Sequence, residues 1–246
     1  MTAPATTPAP PQDDRELVER LVARCAANGS IPEPADDPAP EWDDVAEHQA
    51  HVRQRAWQND LVAAAQEGLS PWTVDRLEDR THARVIDAYV AALGPGARVR
   101  NLLLVGNLGN GKTTTAIAAG HKAVERGLMC RFVSHARYLA MLRPDGAPSG
   151  MTAQQVRHRY RVADVVILDD LGAELDLDQE AREFVRVETV ELLGDRLHSG
   201  KATIITTNVS ADDLDLVLGP RIMSRVGAAA HVLRFTGPDR RSPVRW

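Results

Sequence analysis

Cysteine and lysine are scarce in this chain of 246 residues, and no long apolar run occurs. The two cysteines, Cys25 and Cys130, lie far apart. They make neither a C-x-x-C zinc pair nor a disulfide framework, so a reduced cytoplasm is the expected compartment. No segment approaches the roughly 20 apolar residues of a membrane span, so no membrane partner is expected. The start, Met-Thr-Ala-Pro-Ala-Thr-Thr-Pro, has neither the basic opening nor the apolar stretch of a secretory signal. Lysine stands only at 112, 122 and 201, and arginine carries the remaining positive charge. There is no internal repeat.

What is present suffices for one well-packed α/β domain with an appendage. The net charge of −5 conceals an asymmetry. Residues 1–100 carry 17 acidic and 10 basic side chains, whereas residues 101–246 carry 17 and 19. From Gly219 to Trp246 six arginines face one aspartate. An acidic N-terminal part beside a locally basic one permits both protein and nucleic-acid partners.

Residues 1–12 are rich in Pro, Ala and Thr and read as a disordered tail. Residues 13–75 read as a helical N-terminal region, interrupted by a Pro-rich linker at 28–40. Its second helical stretch, from Glu41 to Glu67, has Trp42, Val45, Trp57, Leu61 and Val62 as apolar points. Residues 76–246 read as the main domain. Within it, short apolar strands at 101–105, 129–133, 164–168, 202–206 and 231–235 alternate with helical segments. That alternation predicts an α/β fold with a central parallel five-stranded sheet and helices on both faces.

The strongest local signal is Gly106-Asn107-Leu108-Gly109-Asn110-Gly111-Lys112-Thr113, a complete G-x-x-x-x-G-K-[ST] string. It follows an apolar strand and opens a helix that includes Thr114, as a phosphate-cradling loop must. The glycines let backbone N–H groups turn toward phosphate oxygens. Lys112 can bridge β- and γ-phosphates, and the Thr113 hydroxyl can ligate Mg²⁺. Chance supplies such a string in roughly one chain in a hundred of this length, but rarely with both flanking elements in place.

Fifty-seven residues after Lys112, the run Val165-Val166-Ile167-Leu168 ends in Asp169-Asp170. Ligands of parallel sheets sit at strand carboxyl ends. Asp169 is placed to hold Mg²⁺ and Asp170 to polarise an attacking water. Asn208 closes the next apolar strand, where it can hold that water or the γ-phosphate; a Thr-Asn turn is otherwise ordinary. Arg221 and Arg225 share one helix face. They form either a finger reaching a neighbour's γ-phosphate or a solvated helix surface.

Together the strings GNLGNGKTTTA, VVILDDLGAE, ATIITTN, LGPRIMSR and RFTGPDRRSP resemble the AAA+ ATPases. Within that class they are similar to bacterial replicative-helicase loaders of the DnaC and DnaI type, from Asn101 to the C-terminus. The resemblance implies a P-loop AAA+ core that binds ATP and Mg²⁺ and hydrolyses ATP slowly. It implies a homo-oligomer with ATP at subunit junctions, on single-stranded DNA, delivering a DnaB-type helicase held by the N-terminal region. It puts Asn208 at the sensor-1 position, Arg225 at the arginine finger and Arg221 at a second arginine near the nucleotide. It also puts a helical insertion at 134–163, where Arg137, Arg143, Arg157, Arg159 and Arg161 are candidates to track a DNA backbone.

Only 21 residues follow Arg225, so no C-terminal lid domain is expected. Asp170 stands where many relatives have Glu, which suits slow turnover, and no cysteine cluster precedes the core. The alternative within the same resemblance is an IstB-type transposition helper, acting with a transposase on duplex DNA. A small-molecule P-loop kinase and a switch that binds ATP but scarcely hydrolyses it are the other two readings.

Overall fold

The computed structural model describes residues 45–65, 72–94, 97, 99–172, 179–210, 214–215, 218–236 and 239. The expected tail, first helix and Pro-rich linker lie outside the described residues. The described residues fall in one compact unit that begins at Asp44.

Five strands form one sheet: β1 (Asn101–Gly106), β2 (Cys130–Ser134), β3 (Val165–Leu171), β4 (Ala202–Thr207) and β5 (Ala230–Phe235). They lie in the order β2-β3-β4-β1-β5, and every pairing is parallel. This is the sheet expected from the apolar runs, with no end shifted by more than three residues. Alternation decides which face each side chain serves. Leu102, Leu104, Ile167 and Ile204 enter one core cluster, while Leu103, Val166, Leu168 and Ile205 enter the other. Both faces are therefore apolar and both must be covered by helices.

On the first face lie α1 (Val45–Ala65), α2 (Arg80–Ala92) and α3 (Lys112–Glu125). On the second lie α4 (His135–Leu142), α5 (Ala153–Val162), α6 (Gln179–His198) and α7 (Pro220–Ala228). The insertion at 134–163 is thus the α4–α5 pair. No helix among the described residues is long and apolar enough to cross a membrane.

The sequence reading starts the main domain at residue 76, and the structure moves that boundary. Helix α1 belongs to the same unit because Trp57 is fully buried in the core of the sheet. Its ring occupies the place where residue 120 of α3 would carry a side chain, and Gly120 leaves that place open. Burying a tryptophan removes roughly 200 Å² from water, worth about 5 kcal/mol at 25 cal per Å². The indole N–H donates to Nδ1 of His121 at 3.1 Å. Burial lowers the His121 pKa, which keeps that nitrogen an acceptor. Val45 and Val62, also apolar in the sequence pattern, point outward.

Asp60, one turn beyond Trp57, closes the open edge of β2. Its carboxylate accepts the Phe132 N–H at 3.0 Å and pairs with Arg159 at 2.7 Å and Arg131 at 3.4 Å. Burial lifts its pKa above the ordinary value even against those two guanidiniums. Across the sheet, Arg196 is completely buried. It donates to Thr203 Oγ1 at 3.0 Å, to the carbonyls of Tyr160 and Ala163 at 2.7 and 2.9 Å, and to that of Ala202. These bonds tie the end of α6 to the end of α5 and the start of β4. Burial brings its pKa down to about 10, so it stays cationic at neutral pH.

Gly120→Ala should lower the urea midpoint. Displacing Trp57 costs about 1–3 kcal/mol of overpacking, against about 1 kcal/mol gained in helix propensity. A variant as stable as the parent would refute the seating of Trp57 on Gly120.

Candidate nucleotide-binding site

The loop from Gly106 to Thr113 leaves β1 and enters α3 directly. Gly111 precedes the helix with φ +94, a left-handed backbone that a side chain would strain. The first-turn N–H groups of α3 therefore open toward the cleft. Thr114 and Thr115 donate their hydroxyls to the Gly111 carbonyl at 2.7 and 2.9 Å, which fixes that turn. Gly106 is required for another reason: a Cβ there would strike the Phe235 carbonyl of β5. Asn107 and Leu108 are exposed at the loop tip, and Asn110 is buried. Lys112 donates Nζ to the carbonyls of Gly106 and Asn107 at 2.8 and 2.6 Å, and to Asn110 Oδ1 at 3.3 Å. Asn110 in turn donates Nδ2 to the Phe235 carbonyl at 3.0 Å. Strand β5 thereby holds the loop that holds the lysine.

The two carboxylates do not follow the end of their strand; they lie inside it. Strand β3 runs on to Leu171, and its register on β4 shifts between Leu168↔Ile205 and Leu171↔Thr207. Asp169 and Asp170 thus face Thr206 as two residues against one, a β-bulge. Asp170 has φ +58. In a regular strand, neighbours point to opposite faces; the bulge lets both aspartates border one cleft. Asp169 Oδ1 accepts from Thr113 at 2.9 Å and from Thr206 at 2.7 Å. The Asp170 N–H donates to Thr206 Oγ1 at 2.8 Å. Asn208 donates Nδ2 to Asp170 Oδ1 at 2.5 Å.

The cleft, about 620 Å³, is of the size that binds small ligands. Loop residues 108–115, Ser134, Asp169, Asp170, Thr206 and Asn208 line it. Trp72, Arg76, Leu77, His82 and Phe235 line it as well. Sequence reasoning missed this second group entirely, as it missed Thr206. The Asp79 carboxylate caps α2, accepting from the N–H groups of Thr81 and His82 at 2.8 and 3.1 Å. That cap sets the His82 ring against Phe235, with centroids 4.3 Å apart. Flat rings and a phosphate-type loop in one cleft suit a nucleotide. The hint in the sequence was the aromatic and His content of 72–82 and the Phe235 that ends β5.

Arg221 and Arg225 lie on α7, exposed and away from the cleft lining. The insertion arginines differ from a free basic track. Arg157 makes a two-pronged pair with Glu188 at 2.8 and 2.5 Å. Arg159 is held by Asp60 and Arg161 by Asp195, at 2.7 and 3.4 Å. Arg143 lies over the Phe184 ring at 5.0 Å, and Arg137 is exposed. Three of the five expected DNA contacts are therefore engaged by carboxylates of the same chain. Lys112→Ala should weaken ATP binding by about 2–5 kcal/mol, read by titration calorimetry. Unchanged affinity would refute the assignment of the loop.

Comparison with known proteins agrees with this geometry. The family model for the IstB-like ATP binding protein matches residues 73–241. The ATP-binding protein of insertion sequence IS1162 from Pseudomonas fluorescens is 34% identical over 168 residues, covering 64% of this chain and 68% of that one. Among solved structures, DnaI matches with TM-score 0.57 and 23% identity, covering 69% of this chain and 90% of that one. The DnaC helicase loader matches with TM-score 0.57 and 24% identity, covering 67% and 96%. AMPPCP-bound DnaA from Aquifex aeolicus matches with TM-score 0.55 and 20% identity, covering 68% and 50%. The structural likenesses show a shared fold, a parallel sheet covered by helices on both faces. The match across 73–241 takes in the phosphate loop, both aspartates, Asn208, His82 and Phe235: this chain belongs to the family of IstB-like ATP-binding proteins.

Proposed function

We propose that this protein is an ATPase that switches a DNA-bound assembly of a mobile element, acting with a transposase on duplex DNA. The hydrolytic half of the reading is carried by Asp170, held by Asn208 beside the phosphate loop. The mobile-element half is supported by kinship with the insertion-sequence ATP-binding protein. That kinship reverses the order suggested by the loader-like strings, which favour a helicase loader on single-stranded DNA as the second reading.

Thr113 Oγ1 and Asp169 Oδ1 converge to 2.9 Å, a hard-oxygen pair that fits Mg²⁺. When bound there, the ion spreads the charge of the β- and γ-phosphate oxygens. Lys112, already on the loop carbonyls, turns its ammonium onto those same oxygens. Trp72, Leu77, His82 and Phe235 orient the base. The Asn208 amide donates to Asp170, which leaves its own carbonyl free to accept from the attacking water. Asp170 takes a proton from that water as its oxygen bonds to the γ-phosphorus. The bond from that phosphorus to the β-bridging oxygen breaks, and ADP departs with its charge stabilised by Lys112. Exposed Arg225 reaches the γ-phosphate of a neighbouring copy and adds positive charge to the transition state. Residues 1–43 carry the protein partner, since the inner face of α1 is already committed to its own sheet.

Two measurements test the reading. With ATP present, binding to duplex should exceed binding to single strands of equal length by about tenfold, ~1.4 kcal/mol. Preference for single strands, together with capture of a DnaB-type helicase, would favour the loader instead. Arg225→Ala and Asp170→Asn should each lack stimulated hydrolysis, while their mixture recovers part of it. An inert mixture would exclude a finger acting between subunits.

A further inference from the structure

Thr206 was not among the residues that the motifs single out, yet its hydroxyl touches both acidic residues of the site. We propose that Thr206 is a positioning residue that sets the Asp169 carboxylate and the Asp170 peptide together. The inference rests on the ATPase reading above and names the group that aligns its metal and water sides.

A two-against-one bulge leaves a backbone N–H without its ladder acceptor. Here that donor is the Asp170 N–H, and Thr206 Oγ1 accepts it at 2.8 Å. Asp170 also holds φ +58, a left-handed conformation that strains a non-glycine residue. A buried acceptor opposite the bulge offsets that strain. The Thr206 hydroxyl has a single proton. Because its oxygen accepts from Asp170, the proton goes to Asp169 Oδ1, 2.7 Å away. Direction therefore runs one way, from the Asp170 peptide through Thr206 to the Asp169 carboxylate.

Asp169 Oδ1 is also the oxygen reached by Thr113. Metal binding would draw the Thr113 oxygen to the ion, and Thr206 is a donor from the sheet that stays on Oδ1. It is 1% exposed, so water does not replace it readily. Asn208, two residues on, holds the Asp170 side chain. Thr206 at the end of β4 and Asn208 just beyond it thus grip the peptide and both carboxyls. Thr207 anchors the bulge from the other side, donating to the Leu171 carbonyl at 2.7 Å. Valine has the shape of threonine and suits a buried strand equally, so burial alone does not explain a hydroxyl at 206.

The test compares Thr206→Val, Thr206→Ser and Thr206→Ala in the full chain. Thr206→Val should lower kcat about 10–100-fold, leave metal-free affinity for a fluorescent ATP analogue within about twofold, and raise the Mg²⁺ concentration for half-maximal activity about fivefold or more. Thr206→Ser should return all three to near parent values. A Thr206→Val protein with parent kcat and parent Mg²⁺ requirement would overturn the proposal, as would a serine variant as impaired as valine. If Thr206→Val melts early, serine against alanine decides, since both lack the methyl and only serine keeps the hydroxyl. A separate readout needs no turnover: the gain in affinity for a non-hydrolysable analogue on adding Mg²⁺. That gain should survive in serine and shrink in alanine; equal gains would overturn the role of Thr206. If the parent itself shows the gain but never hydrolyses ATP, the ATPase reading falls while this comparison still judges Thr206.

Discussion

The bulge in β3 is the constraint on which the site depends. A sheet with regular β3–β4 pairing would send Asp169 and Asp170 to opposite faces, one into solvent beside the loop and the other into the core. The extra residue, the left-handed turn at Asp170 and the hydroxyls of Thr206 and Thr207 put both carboxyls on one side. The phosphate loop, by contrast, is a local structure that α3 and β5 hold independently. Its lysine is tethered through Asn110 to the Phe235 carbonyl, so the last strand of the sheet helps to place the first functional cation. Nucleotide chemistry here needs three strand ends in register, and β4 supplies the part that keeps two of them aligned.

Much of this was legible in the chain because its signals are local. Five apolar runs marked five strands to within a few residues. The phosphate loop announced itself by glycine spacing, and Asp169, Asp170 and Asn208 by their place after such runs. What was illegible depends on distant pairs. Trp57 reads as one apolar point on a helix until Gly120, more than sixty residues on, is seen to lack a side chain beneath it. The aromatic wall joins 72–82 to Phe235, which no window spans. The insertion arginines show their charge in sequence but not their partners, Glu188, Asp60 and Asp195, each on another helix.

The two kinds of similarity carry different information. Likeness of fold to DnaI, DnaC and DnaA, at 20 to 24% identity, speaks for architecture and not for role. Likeness of sequence to an insertion-sequence protein is greater, 34% over 168 residues. The functional proposal leans on the second for that reason.

The Asp60 carboxylate on the Phe132 N–H has a consequence for how copies of this protein can meet. A bare parallel edge strand is a template for another strand, and sheets that remain open at both ends are prone to stacking into aggregates. At the β2 end that route is shut, since the edge donor is taken and α1 lies across it with two guanidiniums. Copies that approach there encounter a helix and a cluster of one carboxylate with two guanidiniums in place of backbone. Ordered association at that end must therefore be read from side chains, which makes it specific and reversible in a way that strand addition is not.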